Sequence, residues 1–533
     1  MKPEPNGLTR RRVVGSVALA SVSATSGLPW AVPASAQEVA RADTFIVTGQ
    51  PSGGSPTFTQ FNDFNVFRPS LDRRSSISHV LEALYYYNVL KDEMIPWLAT
   101  GFRYNDDFTA VTIELRKGVT WSDGEAFDAE DVIYTLDMLK KNGQGKGDMF
   151  EAPAVARDVK ALVKVDDHTV RVELNKADPR WFFTMLTVRF SNQGLHIVPE
   201  HVWRNVDPAK LDTFTALDPS KPGWPVGSGA FRVVQMTPER IILDRRDDWW
   251  GIKTGFRPPP QMKRVIFVPF TTHDQAAQLI AKGEVDTILE AQVPMMKSLL
   301  ARFPNITTFS GKQPPFGNID WWPTSVFFNH DDPQWQDLRI RRAVSLYLDR
   351  NQAVDYAYEG AAEISGLPYP NYPALTPYYG LMADTIKKLR ITDHDPKAAD
   401  ALMREAGAVK DAQGFWTLNG KRMGGDLFHP GSLSAIGPIL AEQLRRAGFE
   451  AASNSRPGFR EAVYLGKAAW WAWGHGASVN DPYQTLRLYH KVWHRPIGEA
   501  PLWPARWRND AFSAMVDQLQ SLPPKVPAVQ PLV

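Results

Sequence analysis

The residues of this chain best suited to holding a ligand are tryptophans. Trp470, Trp471 and Trp473 crowd into the segment Ala469 to Pro482, with His475 close behind, and Trp321-Trp322 form a second pair. Flat indole faces suit the apolar faces of pyranose rings, while the indole N–H still donates a hydrogen bond at the edge. Trp249-Trp250 and Trp493, Trp503 and Trp507 extend the same theme, and the chain holds 18 tryptophans in all. For any one of them, ordinary core packing is the commoner role. Other chemistries find less support. The 11 histidines show no HExxH motif, so no zinc site is expected. Gly227-Ser228-Gly229 lacks the G-x-S-x-G spacing of a nucleophile elbow, and no lysine stands at phosphate-loop spacing. Glu130-Asp131 are neighbours that point in different directions from a helix, not a facing pair of carboxylates. A secreted hydrolase of β-linked sugars, the rival from another class, needs such a facing pair.

Composition narrows the field further. With 533 residues, more than one domain is expected. Basic and acidic residues nearly balance, 60 against 58, which leaves no basic footprint for nucleic acid. The absence of cysteine excludes disulfides, thiol nucleophiles and a lipid-modified N-terminal cysteine. At the N-terminus, Thr9-Arg10-Arg11-Arg12-Val13-Val14 opens an apolar, small-residue run to about Ala24, and Ala34-Ser35-Ala36 supplies small residues for signal-peptidase cleavage. The arginines resemble a twin-arginine export signal; a general secretory signal with a basic start is the alternative. The mature chain is expected to begin near Gln37.

The elements that must position the tryptophans alternate between strand and helix. Val111, Ile113 and Leu115 alternate with polar residues, the period of a half-buried strand. Asp123-Gly124 marks a turn, and Asp128 is placed to cap a helix whose Val132, Leu136 and Leu139 share one face. Strands are expected over 43–49, 263–268 and 325–329, and a hairpin over 163–174. Helices are expected over 81–90, 274–282, 395–406 and 436–447. Pro225 to Phe231 is glycine-rich and reads as a tight structural turn.

The ordered set Pro96-Trp97-Leu98-Ala99, Leu115-Arg116-Lys117-Gly118-Val119, Trp121, Asp123-Gly124-Glu125, Phe127 and Ala129-Glu130-Asp131-Val132 resembles the signature of family 5 solute-binding proteins. These are extracytoplasmic peptide, nickel and oligosaccharide receptors of bacterial ABC importers. Pro225-Val226-Gly227-Ser228-Gly229-Ala230-Phe231 and Asp337-Leu338-Arg339-Ile340-Arg341-Arg342-Ala343-Val344 fit the same pattern, which extends from about Asp43 to Leu519.

The resemblance implies an α/β, two-lobed periplasmic-binding-protein-like fold (type II, cluster C) with an extra subdomain inserted in the first lobe. Its parts would be a signal peptide over 1–36, lobe I over 43–80 and 196–310, the extra subdomain over 81–195, lobe II over 311–490, and a return to lobe I over 491–533. That return is short for the family, so it either ends early or is truncated. Hinged closure around a ligand, no catalysis, no cofactor, no metal, a monomeric state in the periplasm and an ABC permease in the inner membrane as partner are further implications. Ligand contacts would come from Trp470, Trp471, Trp473, His475, Ser478, Asn480, Asp481, Trp321, Trp322 and, at the cleft mouth, Asn62. In peptide-binding members an aspartate two residues before the Asn of the Asn-Asp/Glu-Pro segment pairs with the peptide ammonium; here Ser478 stands there. A buried ammonium without its carboxylate loses on the order of 3–5 kcal/mol. An uncharged oligosaccharide is therefore the expected ligand, with a peptide second and nickel, through His475, a further alternative.

Overall fold

The lobe that the chain enters first is built around a mixed sheet. Thr44–Thr48 pairs in parallel with Arg264–Val268, which continues antiparallel to Arg240–Arg245 and then Phe231–Thr237. The computed structural model describes residues 39–48, 64–67, 76–142, 151–189, 193–207, 210–211, 214, 225–269, 272–288, 291–317, 319–476 and 478–533. The export signal, the start near Gln37, most of the loop from Gln50 to Asn65, Asn62 and Ala477 lie outside them. The second lobe has its own mixed sheet, in the order Thr324–Phe328, Trp470–Gly474, Gly424–Phe428, Glu450–Asn454. Both lobes are α/β, with helices such as Leu338–Tyr347, Pro396–Glu405 and Gly437–Ala447 packed on the second.

Between the parts of the first sheet the chain builds an antiparallel sheet, Ala99–Tyr104, Ala110–Leu115, Thr169–Leu174, Val159–Asp166. Val111, Ile113 and Leu115 point into its core as their alternation predicts. The following helix, Ala129–Asn142, starts in a reciprocal cap. The Asp128 carboxylate accepts the Glu130 N–H at 2.8 Å, and the Asp131 carboxylate accepts the Asp128 N–H at 3.0 Å. Asp131 also accepts from the Trp121 indole (3.1 Å) and the Glu200 N–H (2.8 Å), so it ties the helix to two other segments. Burial pushes its carboxyl up to about 7. One continuous apolar core runs from Val47 through Trp121, Val172 and Leu243 to Phe267. The inserted sheet therefore shares its core with the first lobe.

The expectation of a helix over 81–90 is corrected. The helix there is only Ile77–Val80, and Tyr85–Asn88 is a strand paired with Glu93–Pro96 and Thr187–Val188. Tyr85 and Tyr87 are buried while Tyr86 is half-buried, the two-residue period that aromatic side chains favour on a pleated surface. The run Leu81 to Leu84 is entirely buried, so it shows neither period.

The glycine-rich turn is structural, and its reason is close approach. A Cβ on Gly227 would stand 2.1 Å from the Val80 carbonyl oxygen, and one on Gly229 2.3 Å from that of His79. The Gly229 N–H donates to the Val80 carbonyl at 2.8 Å, and Arg246 Nη1 donates to the carbonyls of Gly227 (3.1 Å) and Gly229 (3.0 Å). The last segment, 491–533, holds the helix Asp510–Ser521 and the short turn Pro527–Leu532. Val516, Leu519 and Val529 pack with Tyr87 and Val89 of the insertion and with Tyr369 to Tyr378 of the second lobe. Among the described residues no helix is long and apolar enough to cross a membrane.

Candidate functional site

The Trp470–Gly474 strand is the second in its sheet, flanked by Thr324–Phe328 and Gly424–Phe428. Alternation along it sorts the tryptophans onto opposite faces. Trp470 is fully buried, stacked 4.9 Å from Trp335, and its indole N–H donates to the Gly425 carbonyl at 2.9 Å. Trp471 is buried on the other face, stacked on Phe327 at 5.9 Å. Neither has a face left for a ligand, so both are corrected from ligand contacts to core residues. Their neighbours on strands on both sides close over them, which single-strand periodicity does not reveal.

Trp473 differs. It is half-buried, lies parallel to Phe459 at 4.5 Å, and meets Trp322 at 5.4 Å. Trp322 in turn meets Trp321 at 5.3 Å, and both are half-buried. The cross-strand pairs Ser325–Trp473 and Thr324–Gly474 bring the two regions to one end of the sheet. At this end the chain enters the sheet at Thr324 and leaves its central strand at Gly474. The structure thus joins Trp321, Trp322 and Trp473, expected from separate regions, into a row that ends on Phe459. Phe459 carries no sequence signal beyond being one aromatic among many.

The rest of the expected set is engaged within the protein. His475 Nε2 lies 2.9 Å from the Ser325 hydroxyl, and its Nδ1 lies 2.7 Å from the Tyr489 hydroxyl. Burial lowers its pKa to about 3, so the ring is neutral, held between two hydroxyls. Ser478 is fully buried, and its hydroxyl accepts the Thr485 N–H at 2.8 Å. Asp481 is buried against Arg180 and accepts the Tyr483 N–H at 3.2 Å. Each of these three expected ligand contacts is buried, and its polar atoms find partners within the chain, as buried polar atoms must. Asn480 is half-buried beside them. Among the described residues no group of three or more His, Asp or Glu side chains could hold a metal ion.

The signature residues of the first lobe gather on a carboxylate that the sequence does not single out. Glu82 accepts from the indoles of Trp97 and Trp250, each at 2.8 Å, and its own N–H donates to the Ser228 hydroxyl at 3.2 Å. Burial outweighs these bonds and pushes Glu82 up to about 7. This cluster binds three motif segments together and is a scaffold.

Comparison with known proteins follows the same lines. The family model for bacterial extracellular solute-binding proteins, family 5 middle, matches residues 93–493. The dipeptide-binding protein of Escherichia coli (strain K12) is 24% identical over 396 residues, which are 71% of this chain and 66% of that protein. A putative ABC transporter peptide-binding protein of Brucella ovis is 24% identical over 61% of this chain, and the match spans 54% of its own length. Among solved structures, the periplasmic oligopeptide-binding protein of an oligopeptide ABC transporter from Thermotoga maritima superposes with a TM-score of 0.75 at 21% identity, covering 92% of this chain and 88% of that one. Its mannohexaose-bound form gives 0.72 at 21% identity, covering 93% and 88%. With three quarters of its length inside the family model and the same fold around it, the chain belongs to the bacterial extracellular solute-binding proteins of family 5.

Proposed function

We propose that this chain is the solute receptor of an ABC importer, which captures an oligosaccharide outside the cytoplasmic membrane and delivers it to a permease without chemical change. The observation that carries the ligand class is the row of half-buried rings Trp321–Trp322–Trp473 at the end of the sheet, backed by the buried ring of Phe459. Indole faces tilted to one another at 39° and 47° offer contact to the apolar face of a pyranose and demand no charge from it. Ser478 adds to this reading, since no carboxylate stands at that position to pair with a peptide ammonium. Asp481 is already neutralised by Arg180. The mannohexaose bound to the Thermotoga maritima protein supports the same class.

A peptide is the second reading, favoured by the names of the E. coli and Brucella relatives. In either case the two lobes would close on the guest as hinged bodies, the closed form being selected by contacts from both. The receptor would act as a monomer, with lobe boundaries near residues 310 and 490. Export is carried in this proposal by the arginines at 10–12, with cleavage near Ala36. Thermal unfolding with mannohexaose, cellohexaose and a set of short peptides is the test. Stabilisation by an oligosaccharide without turnover is expected. Stabilisation only by peptides with a free amine would move the chain to the peptide receptors.

A further inference from the structure

The middle ring of the aromatic row rests on two glycines. A Cβ on Gly474 would lie 2.6 Å from the Cβ and 3.0 Å from the Cγ of Trp322; one on Gly476 would lie 2.7 Å from its Nε1. Both distances are far inside van der Waals contact, so an alanine at either position must displace the indole. Neither glycine has a positive φ, so each is required by the space and not by backbone conformation. The indole Nε1 is buried and finds no hydrogen-bond partner among the described residues. Its position is therefore set by shape alone, with the glycine backbone beneath it and Trp321 and Trp473 at 5.3 and 5.4 Å on its flanks.

We propose that Gly474 and Gly476 are specificity-determining positions: together they form a shelf that sets Trp322, and through it the spacing of the row on which the sugar rings lie. Gly474, the last residue of the central strand, underlies the Cβ and Cγ of Trp322, and Gly476, two residues beyond, underlies its Nε1, so the two glycines support opposite ends of one indole. A side chain at either position would lift Trp322 out of line with both neighbours. The row would lose its continuity while the sheet beneath, held by Trp470 and Trp471, stayed intact. This rests on the receptor reading above. The two can fail separately, because the shelf has a consequence that needs no ligand.

The experiment is a double-mutant cycle of Gly476→Ala and Trp322→Ala in the full chain. Near-ultraviolet circular dichroism of the indoles and the thermal midpoint are read without ligand. Gly476→Ala should change the indole spectrum in the Trp322 background and add no change in the Trp322→Ala background. A Gly476→Ala chain that folds only when Trp322→Ala accompanies it is the same result in stronger form. An identical spectral change in both backgrounds, no change in either, or failure of both to fold overturns the shelf. Mannohexaose and a tetrapeptide with a free amino terminus are then titrated. Binding of mannohexaose should weaken at least tenfold in Gly476→Ala, with no further loss when Gly476→Ala is added to Trp322→Ala. Mannohexaose binding that is equal in wild type and Gly476→Ala overturns the specificity role. If the wild-type chain binds neither probe, the receptor reading fails and the specificity role with it, while the spectra still judge the shelf.

Discussion

Arg180 and Asp481 meet as a buried ion pair across 301 positions of sequence. Arg180 stands just before the Trp181–Leu186 helix of the inserted subdomain, and Asp481 on the stretch leaving the second lobe. The Arg180 guanidinium also donates to the carbonyls of Leu519 (2.8 Å) and Gln520 (3.2 Å) at the end of the last long helix. One side chain therefore joins three distant segments. Removing it strands a carboxylate in a dry environment. Arg180→Ala should cost about 3–5 kcal/mol in urea unfolding, and Arg180→Met with Asp481→Leu should recover most of that. A loss under about 1 kcal/mol for the single variant would show that water reaches Asp481.

Glu82 makes stability depend on pH. Its ordinary pKa of 4.5 is raised to about 7 in the folded chain, so the folded state holds the proton more tightly than the unfolded one. The stability it contributes is fully present below about pH 4.5 and is lost as the pH rises through 7. The loss is on the order of 3 kcal/mol. Asp131, also raised to about 7, acts in the same direction. Glu82→Gln cannot ionise, and its unfolding free energy should fall less than wild type between pH 4.5 and 8. It should also be less stable at pH 4.5, because the amide NH2 faces an indole donor. Parallel pH profiles would remove Glu82 from the account.

The tryptophans of the central strand should separate by assay. Trp470→Ala opens a cavity beside Trp335 and Phe449 and should cost about 3–5 kcal/mol. Trp473→Ala should leave most of the stability but weaken oligosaccharide binding roughly tenfold, the scale of one aromatic contact. Isothermal titration and chemical unfolding on both variants would distinguish them, and the reverse pattern would exchange their roles.

Gly227→Ala should unfold or destabilise the first lobe by about 3 kcal/mol, because the added methyl meets the Val80 backbone, which cannot rotate away. Equal thermal midpoints for wild type and variant would show that the turn has room to move.

The elements with a clear period or cap were legible in the chain. Val111–Leu115, the Asp128 cap and the Asp395 cap all stand where their local pattern places them. Tyr85–Asn88 was not, because four buried residues precede it and its partners lie elsewhere in the chain. At the site, Trp321, Trp322 and Trp473 were legible as aromatic clusters. That Trp470 and Trp471 face cores depends on the strands at either side, and that Ser478 and Asp481 are engaged depends on Thr485 and Arg180. None of these partners is marked by spacing.

The parallel pairing of Thr44–Thr48 with Arg264–Val268 bears on how the molecule comes into being. A chain synthesised from its amino end must wait through the whole inserted subdomain before that first strand finds a neighbour, and longer still before Arg180 finds its carboxylate. The second sheet draws all its strands from residues 324–474 and can assemble without that delay. Closing such large loops slows folding and leaves sticky edges open in the meantime. The nascent first lobe is thus the half that holdase chaperones would be expected to grip.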